Sequence, residues 1–448
     1  MQKNKILLTE GNIYESLIKF SIPFIIANLL QALYGAVDMF IIGIFTDTAG
    51  LSGVAVATQV MQIVNGIILG LTMGGTILVG QYYGANRQSD TEKTIGSLMI
   101  IGTFVSLIIT VSMFIFKDGL LNLLNTPAEA YNDAKNYVLI TSAGTVFIFG
   151  YNAVSAVLRG LGDSKRPVYF IAIACIVNII LDLLFVANLG LRASGAALAT
   201  VISQLLSLII AIWYLTRRSN YFKFTTENLR VDLNRIWNIL KISLPLAFQE
   251  VLLWGSFLVI AAIANGMGVN ASAAVGIVAK FETFSMLPPM ALSYAIAAMT
   301  AQNIGADKPE RALKALKISI AMSLVTAFLF LLWAQLHPHS IMAIFGADIG
   351  VAIAGAQYLK FYSIDFLLVS FKFNLNGFLN GSGRTTFAMF NGIFSSIFIR
   401  IPLAYILGVK LAKGLYGLGL SVTLASILSI TFSILFIRTG KWREKIIK

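Results

Sequence analysis

Residues 167–187 read PVYFIAIACIVNIILDLLFVA. Apart from Asn178 and Asp182, this stretch carries nothing more polar than Tyr169 and Cys175. A helix of about 20 residues rises about 30 Å, the thickness of a bilayer's hydrocarbon core. No water is available there for backbone N–H and C=O groups, so a segment that crosses must satisfy them internally, as a helix.

The same reading extends in both directions. The 448-residue chain is 57% hydrophobic and 12% charged, whereas about 25% of a soluble domain is charged. Twelve apolar runs are long enough to cross a bilayer: 14–43, 51–80, 95–116, 133–158, 167–187, 194–216, 240–266, 272–302, 312–334, 352–380, 387–408 and 415–438. No stretch is left for a soluble domain. The expected fold class is therefore all-α integral membrane, with twelve transmembrane helices. The first run is too long for a signal peptide and has no small-residue cleavage site after it, so it is expected to stay as an anchor.

The formal net charge of +13 would suit nucleic acid, but its distribution is that of a membrane protein. Counting gaps between spans, 23 basic residues fall on the side of the termini. They include Lys3, Lys5, Arg87, Arg159, Arg166, Arg217, Arg218, Lys308, Arg384 and Lys448. The other side has Lys117, Arg192, Lys410 and Lys413. The positive-inside rule puts both termini in the cytoplasm of a cell whose inner (plasma) membrane the chain crosses. The positive side also suits anionic headgroups. The charge is a topology signal, and no nucleic-acid partner is expected.

The chain also repeats itself. Ser21-Ile22-Pro23 recurs as Ser243-Leu244-Pro245, and Gly80-Gln81-Tyr82-Tyr83-Gly84 as Ala301-Gln302-Asn303-Ile304-Gly305. Leu158-Arg159-Gly160 recurs as Leu379-Asn380-Gly381, and Ser194-Gly195 as Tyr416-Gly417. The offset is 221 or 222 each time. Six helices per half is an even number, so both halves enter the membrane in the same orientation. They are expected to form two six-helix bundles related by a pseudo-two-fold along the membrane normal. The lobes are residues 1–216 and 240–448, joined by a cytoplasmic linker, 217–239. A transporter of this build binds cargo between or within its lobes and rocks them.

The costliest residues point to function. An ionised Asp at the bilayer centre costs about 2.5–3.5 kcal/mol on insertion scales, and intramembrane acids mark ion or proton pathways. Asp38 lies in the first run and Asp182 in the fifth. Asn178 precedes Asp182 by four residues, so the two share a helix face, and Thr200 lies one turn into the sixth run. Two carboxylates, an amide oxygen and a hydroxyl suit a hard cation such as Na⁺, and two close carboxylates can share a proton. Asn178 and Thr200 also suit simple helix–helix hydrogen bonding. By the repeat offset, Asp38, Asn178 and Asp182 face Ile260, Ile399 and Leu403, so the set belongs to the first half alone. Gln31 and Tyr34 precede Asp38 by one to two turns and either line a cavity or pack.

The second half carries its own buried charges at Glu250, Lys280, Glu282, Asp365, Lys372 and Arg400. They pair between helices or form a second ion or substrate locus. Pro23 in the first run removes a helical hydrogen bond, and Pro288-Pro289 are expected to break or bend the eighth. Cys175 is alone, which excludes an intramolecular disulfide and makes a poor metal site; it reads as a packed core thiol. His337 and His339 sit in a loop. Arg159-Gly160-Leu161-Gly162-Asp163 resembles part of a phosphate loop but follows no strand. No ATP site, catalytic set or cofactor is expected, so the chain is not read as an enzyme.

Taken together, the Leu158–Asp163 turn with Pro167 soon after, the Gly80–Gly84 stretch with its Ala301–Gly305 counterpart, and Pro23 followed by Asp38 resemble the multidrug and toxic compound extrusion (MATE) family over essentially the whole chain. The resemblance implies an antiporter driven by Na⁺ or H⁺ that exports amphipathic, often cationic drugs and toxic compounds. It implies a cation site in the first lobe at Asp38, Asn178, Asp182 and Thr200; Gln31, Tyr34 and Asn152 are expected to line the substrate cavity beside it. Neutral ligands at Asn178 and Thr200 lean toward Na⁺. Some relatives also use a Glu and an Asp of the second lobe, on the helices that here carry Glu250 and Asp365. Nothing requires more than a monomer. The alternative is a flippase for a lipid-linked oligosaccharide or similar lipid, its pyrophosphate held by Lys280, Lys372 and Arg400. A membrane enzyme or a channel subunit fits less well, for want of catalytic residues and because the acids sit in one lobe.

Overall fold

The computed structural model of the chain describes residues 8–218 and 231–447, and these form helices and no strand. Most of the expected linker, and Lys3, Lys5, Lys223, Arg230 and Lys448 of the charge pattern, lie outside the described residues.

The first half comprises α1 (Ile13–Phe45), α2 (Thr48–Gly84), α3 (Gln88–Leu123), α4 (Tyr131–Ala143), α5 (Thr145–Gly160), α6 (Lys165–Asp182) and α7 (Arg192–Trp213). The second comprises α8 (Leu233–Asn265), α9 (Val269–Gly305), α10 (Pro309–Leu336), α11 (Pro338–Ile344), α12 (Ile349–Tyr362), α13 (Ile364–Gly381), α14 (Thr385–Ile393), α15 (Ile401–Leu403) and α16 (Gly414–Arg438). Among the described residues, ten helical segments are long and apolar enough to cross a membrane singly. The expected span 133–158 is α4 and α5, bent by 51° at Gly144. The expected span 352–380 is likewise two helices, α12 and α13, parted at Ser363. The chain is an all-α, multi-pass membrane protein.

Two local expectations are corrected. Pro288 and Pro289 do not break their helix: α9 runs through both from Val269 to Gly305. Its neighbours hold it, since most of α9, Pro289 included, is buried. The fifth and eleventh spans, by contrast, do not stay α-helical. Asp182 ends α6, and the chain continues as a π-helical stretch, Leu183–Asn188. The equivalent place in the second half is the π-helical stretch Ala404–Lys410. Widened turns of this kind concentrate at functional positions.

The chain divides into two compact units. The first holds Ile22–Ala247, and the second holds Leu8–Ser21 with Phe248–Lys448. Two helices therefore change unit along their length, α1 just before Pro23 and α8 just after Pro245.

Within each unit the same devices recur. Left-handed backbone appears at Asn86 and Asp307, Asn125 and Gly346, Gly162 and Gly383, Gly190 and Ala412, and Arg192 and Gly414. Each pair is separated by the repeat offset. Gly160 and Gly381 let helices meet at backbone distance. A Cβ would stand 2.7 Å from the Thr76 carbonyl oxygen at Gly160, and 2.3 Å from that of Ala297 at Gly381. α2 is the enclosed centre of the first unit and α9 that of the second. Helices α1, α3, α8 and α10 present long exposed apolar faces, such as Phe40, Phe104 and Phe116, which suit contact with lipid.

Candidate functional site

α1 brings Tyr34 and Asp38 to one face, four residues apart. α6 brings Asn178 and Asp182 in the same way, Asp182 at the point where the helix widens. In the first unit these faces meet. Asp38 and Asp182 face each other within electrostatic reach. Asp38 is 5% exposed, and Asn178 and Asp182 are fully buried. Thr200 of α7 accepts the Tyr34 hydroxyl at 2.8 Å. All four residues of the expected cation set thus lie in one unit, and Tyr34, which holds Thr200, is within electrostatic reach of both carboxyls.

The sequence missed two members. Tyr137 of α4 is buried beside Thr200 and Thr58, within electrostatic reach of both carboxyls. Thr58 of α2 bonds its own helix through the Val54 carbonyl. The available signal was Tyr137 itself, a hydroxyl-bearing side chain near the start of the fourth apolar run. Pairing it with α7 depends on the bend at Gly144, where a Cβ would meet Val201 Cγ2 at 2.4 Å. Gly144 thus lets α4 lean on α7 one residue from Thr200.

The polar inventory decides what this site can do. Asp38 Oδ1, both Asp182 oxygens and Asn178 Oδ1 have no hydrogen-bond donor. No described basic side chain forms an ion pair with either carboxyl. Buried oxygens without donors are costly. A hard cation, or a proton shared between the acids, is the chemistry that satisfies them. The donor set is thus oxygen only. Among the described residues no group of three or more His, Cys, Asp or Glu side chains gathers as a transition-metal cluster would.

Other expected residues lie apart from this set. Gln31 is exposed. Asn152 is half-buried and gives its amide to the Ile148 carbonyl of its own helix at 2.8 Å. Cys175 is buried and unpaired, as a core thiol should be.

In the second unit, Glu282, Asp365, Lys372 and Arg400 are buried within electrostatic reach of one another. None forms an ion pair within 4.0 Å of another. Glu282 contacts Tyr362 and Asp365 contacts Ser426, while Arg400 donates to Ser256 Oγ at 3.0 Å. Lys280, expected among the buried charges, is exposed, because two residues along a helix from Glu282 it faces the other way. Glu250 is only half-buried and outside this group. Ile260, at the place of Asp38, is packed in an apolar core with Val278, Phe281 and Leu418.

Comparison with known proteins fits this arrangement. The family model MatE matches twice, over residues 23–184 and 245–406, the two halves found by the repeat. The chain is 27% identical to "Probable multidrug resistance protein YpnP" of Bacillus subtilis, covering 97% of each. It is 23% identical to "Multidrug export protein MepA" of Staphylococcus saprophyticus, covering 91% of this chain and 89% of that one. Its fold superposes on a crystal structure of a MATE protein in the straight conformation with a TM-score of 0.90, at 20% identity and 98% coverage of both. With the family pattern present in both halves, the chain belongs to the MatE family, the multidrug and toxic compound extrusion transporters.

Proposed function

We propose that the chain is a cation-coupled antiporter, driven by Na⁺ or H⁺, that exports amphipathic, often cationic drugs and toxic organic compounds. It acts as a monomer in the plasma membrane with both termini in the cytoplasm. The observation that supports coupling is the facing pair Asp38 and Asp182, buried in one unit without a base. The relatives' names, a multidrug resistance protein and a multidrug export protein, support drugs as cargo.

The coupling ion enters as a second cargo. Asp38 and Asp182 give up mutual repulsion when it binds, and Asn178 Oδ1 and the Thr200 hydroxyl supply neutral oxygens. Neutralising the pair lowers the cost of packing α1 against α6. The ion thereby favours one arrangement of α1 over another, and an equilibrium shifts only by such differential affinity. The removed hydrogen bond at Pro23 gives α1 a place to bend. Gln31, Tyr34 and Asn152 meet the exported compound. A flippase reading would need a basic locus, and the exposure of Lys280 and the acids beside Lys372 and Arg400 weigh against it.

The test is efflux of a fluorescent organic cation from proteoliposomes, with Na⁺ and pH gradients imposed separately. One gradient should drive transport, and Asp38→Asn should abolish the driven component. Wild-type rates in Asp38→Asn would sink the reading.

A further inference from the structure

Arg192 opens α7 with a backbone that its residue type disfavours. Its φ is +52°, in the left-handed region that costs a side-chain-bearing residue about 1 kcal/mol. The matching position of the second half is Gly414, at φ +54°. The turn demands this conformation in both halves, and only the first half meets it with a long side chain.

That side chain grips two carboxylates. Arg192 Nη2 lies 2.6 Å from Asp47 Oδ1 and Nη1 3.0 Å from Asp47 Oδ2. Nη2 and Nε lie 2.8 and 3.1 Å from Asp133 Oδ2. Asp47 joins α1 to α2 and caps α2 through the Gly50 N–H at 2.8 Å. Its carboxyl is held below the ordinary carboxylate range, first by the Arg192 guanidinium and then by Gly50, so the grip stays charged at physiological pH. Asp133 lies in the first turn of α4. A forked guanidinium on two carboxylates fixes geometry as no lysine could.

The same helices meet again at the cation site. Thr200 is eight residues along α7 from Arg192, and Tyr137 is four along α4 from Asp133, each on the face of its partner in the grip. Asp38 is nine residues before Asp47. α1, α4 and α7 thus meet twice, once at the ions and once where Tyr34 donates to Thr200 beside Tyr137. By the repeat offset, the second half has Val269, Ala354 and Gly414 in place of Asp47, Asp133 and Arg192. The clamp occurs only in the half that carries the acid pair.

We propose that Arg192 is a positioning residue for the cation site: by holding Asp47 and Asp133 it sets α1 and α4 against α7 where Tyr34, Tyr137 and Thr200 meet beside Asp38. This rests on the cation-site reading above. Arg192→Gly separates positioning from folding, because Gly is the residue the second half uses at this turn and it relieves the backbone. Binding is measured on the full chain in lipid nanodiscs, by calorimetric titration with NaCl at pH 8 and by potentiometric proton titration without Na⁺. Arg192→Gly should keep its melting temperature within a few degrees yet bind the coupling cation about tenfold more weakly, as loss of an outer support does at metal sites. Arg192→Lys, which keeps the charge and loses the fork, should fall between. Asp133→Asn cuts only the α4 arm and should weaken binding less, giving an independent arm should Arg192→Gly not fold. Wild-type affinity in Arg192→Gly and Asp133→Asn would overturn the inference alone. If wild type showed no cation binding that Asp38→Asn abolishes, the cation-site reading would fail and the inference with it.

Discussion

The Tyr34 hydroxyl donates to Thr200 Oγ1 at 2.8 Å, joining α1 to α7 beside the carboxyl of Asp38. Tyr137 of α4 lies beside the same Thr200. Tyr34→Phe removes the bond to Thr200 and leaves the ring. A net hydrogen bond contributes about 1 kcal/mol, so cation affinity should fall about fivefold, read by calorimetric titration. Unchanged affinity with a lower melting temperature would make the bond a packing device only.

Asp182→Asn keeps the shape of the side chain and removes one of two facing charges. Gradient-driven efflux in proteoliposomes should fall to the level of gradient-free vesicles. Asp38→Asn/Asp182→Asn should be no worse than either single variant, because groups that act as a unit are non-additive. A double variant that loses much more than the singles would mean that the carboxyls act separately.

Much of this was legible before any coordinates. The two halves, the class of helix and the restriction of Asp38, Asn178 and Asp182 to one lobe followed from apolar run length and a fixed offset, both of which the bilayer imposes directly. Tyr137 was not legible, because its contact with Thr200 depends on a 51° bend at Gly144, and apolar periodicity carries no bend angle. Arg192 read only as one of four basic residues on the sparse side. Its left-handed backbone is visible in sequence only through the Gly that replaces it 222 residues later. Lys280 was misjudged because hydropathy averages over both faces of a helix and does not say which face meets the exterior.

Gly70 tests the close approach that holds the first unit together. A Cβ there would lie 2.3 Å from both the N and the Cα of Ala247, backbone atoms that cannot swing aside. Gly70→Ala should destabilise by about 1–3 kcal/mol or more, seen as a lower melting temperature in detergent. Gly35→Ala on α1 meets nothing within 4 Å and should be neutral or stabilising by up to about 1 kcal/mol, since Ala is the better helix former. Equal effects at the two sites would contradict the packing described.

The charges of the second unit make a sharper case for pairing by field rather than by contact. Glu282, Asp365, Lys372 and Arg400 sum to zero, yet no two form a close ion pair, and Glu282 Oε1, Asp365 Oδ1 and Arg400 Nε lack hydrogen-bond partners. At low dielectric, charges interact strongly well beyond contact distance. Arg400→Met therefore leaves two acids facing one base and should cost about 3–5 kcal/mol, the penalty for breaking a buried pair. Arg400→Met/Glu282→Gln restores neutrality and should recover at least half of that loss in thermal unfolding, because the second substitution removes the charge that the first left uncompensated. If the double variant were instead as unstable as the sum of the singles, the four groups would be independent, and the zero sum would carry no energy.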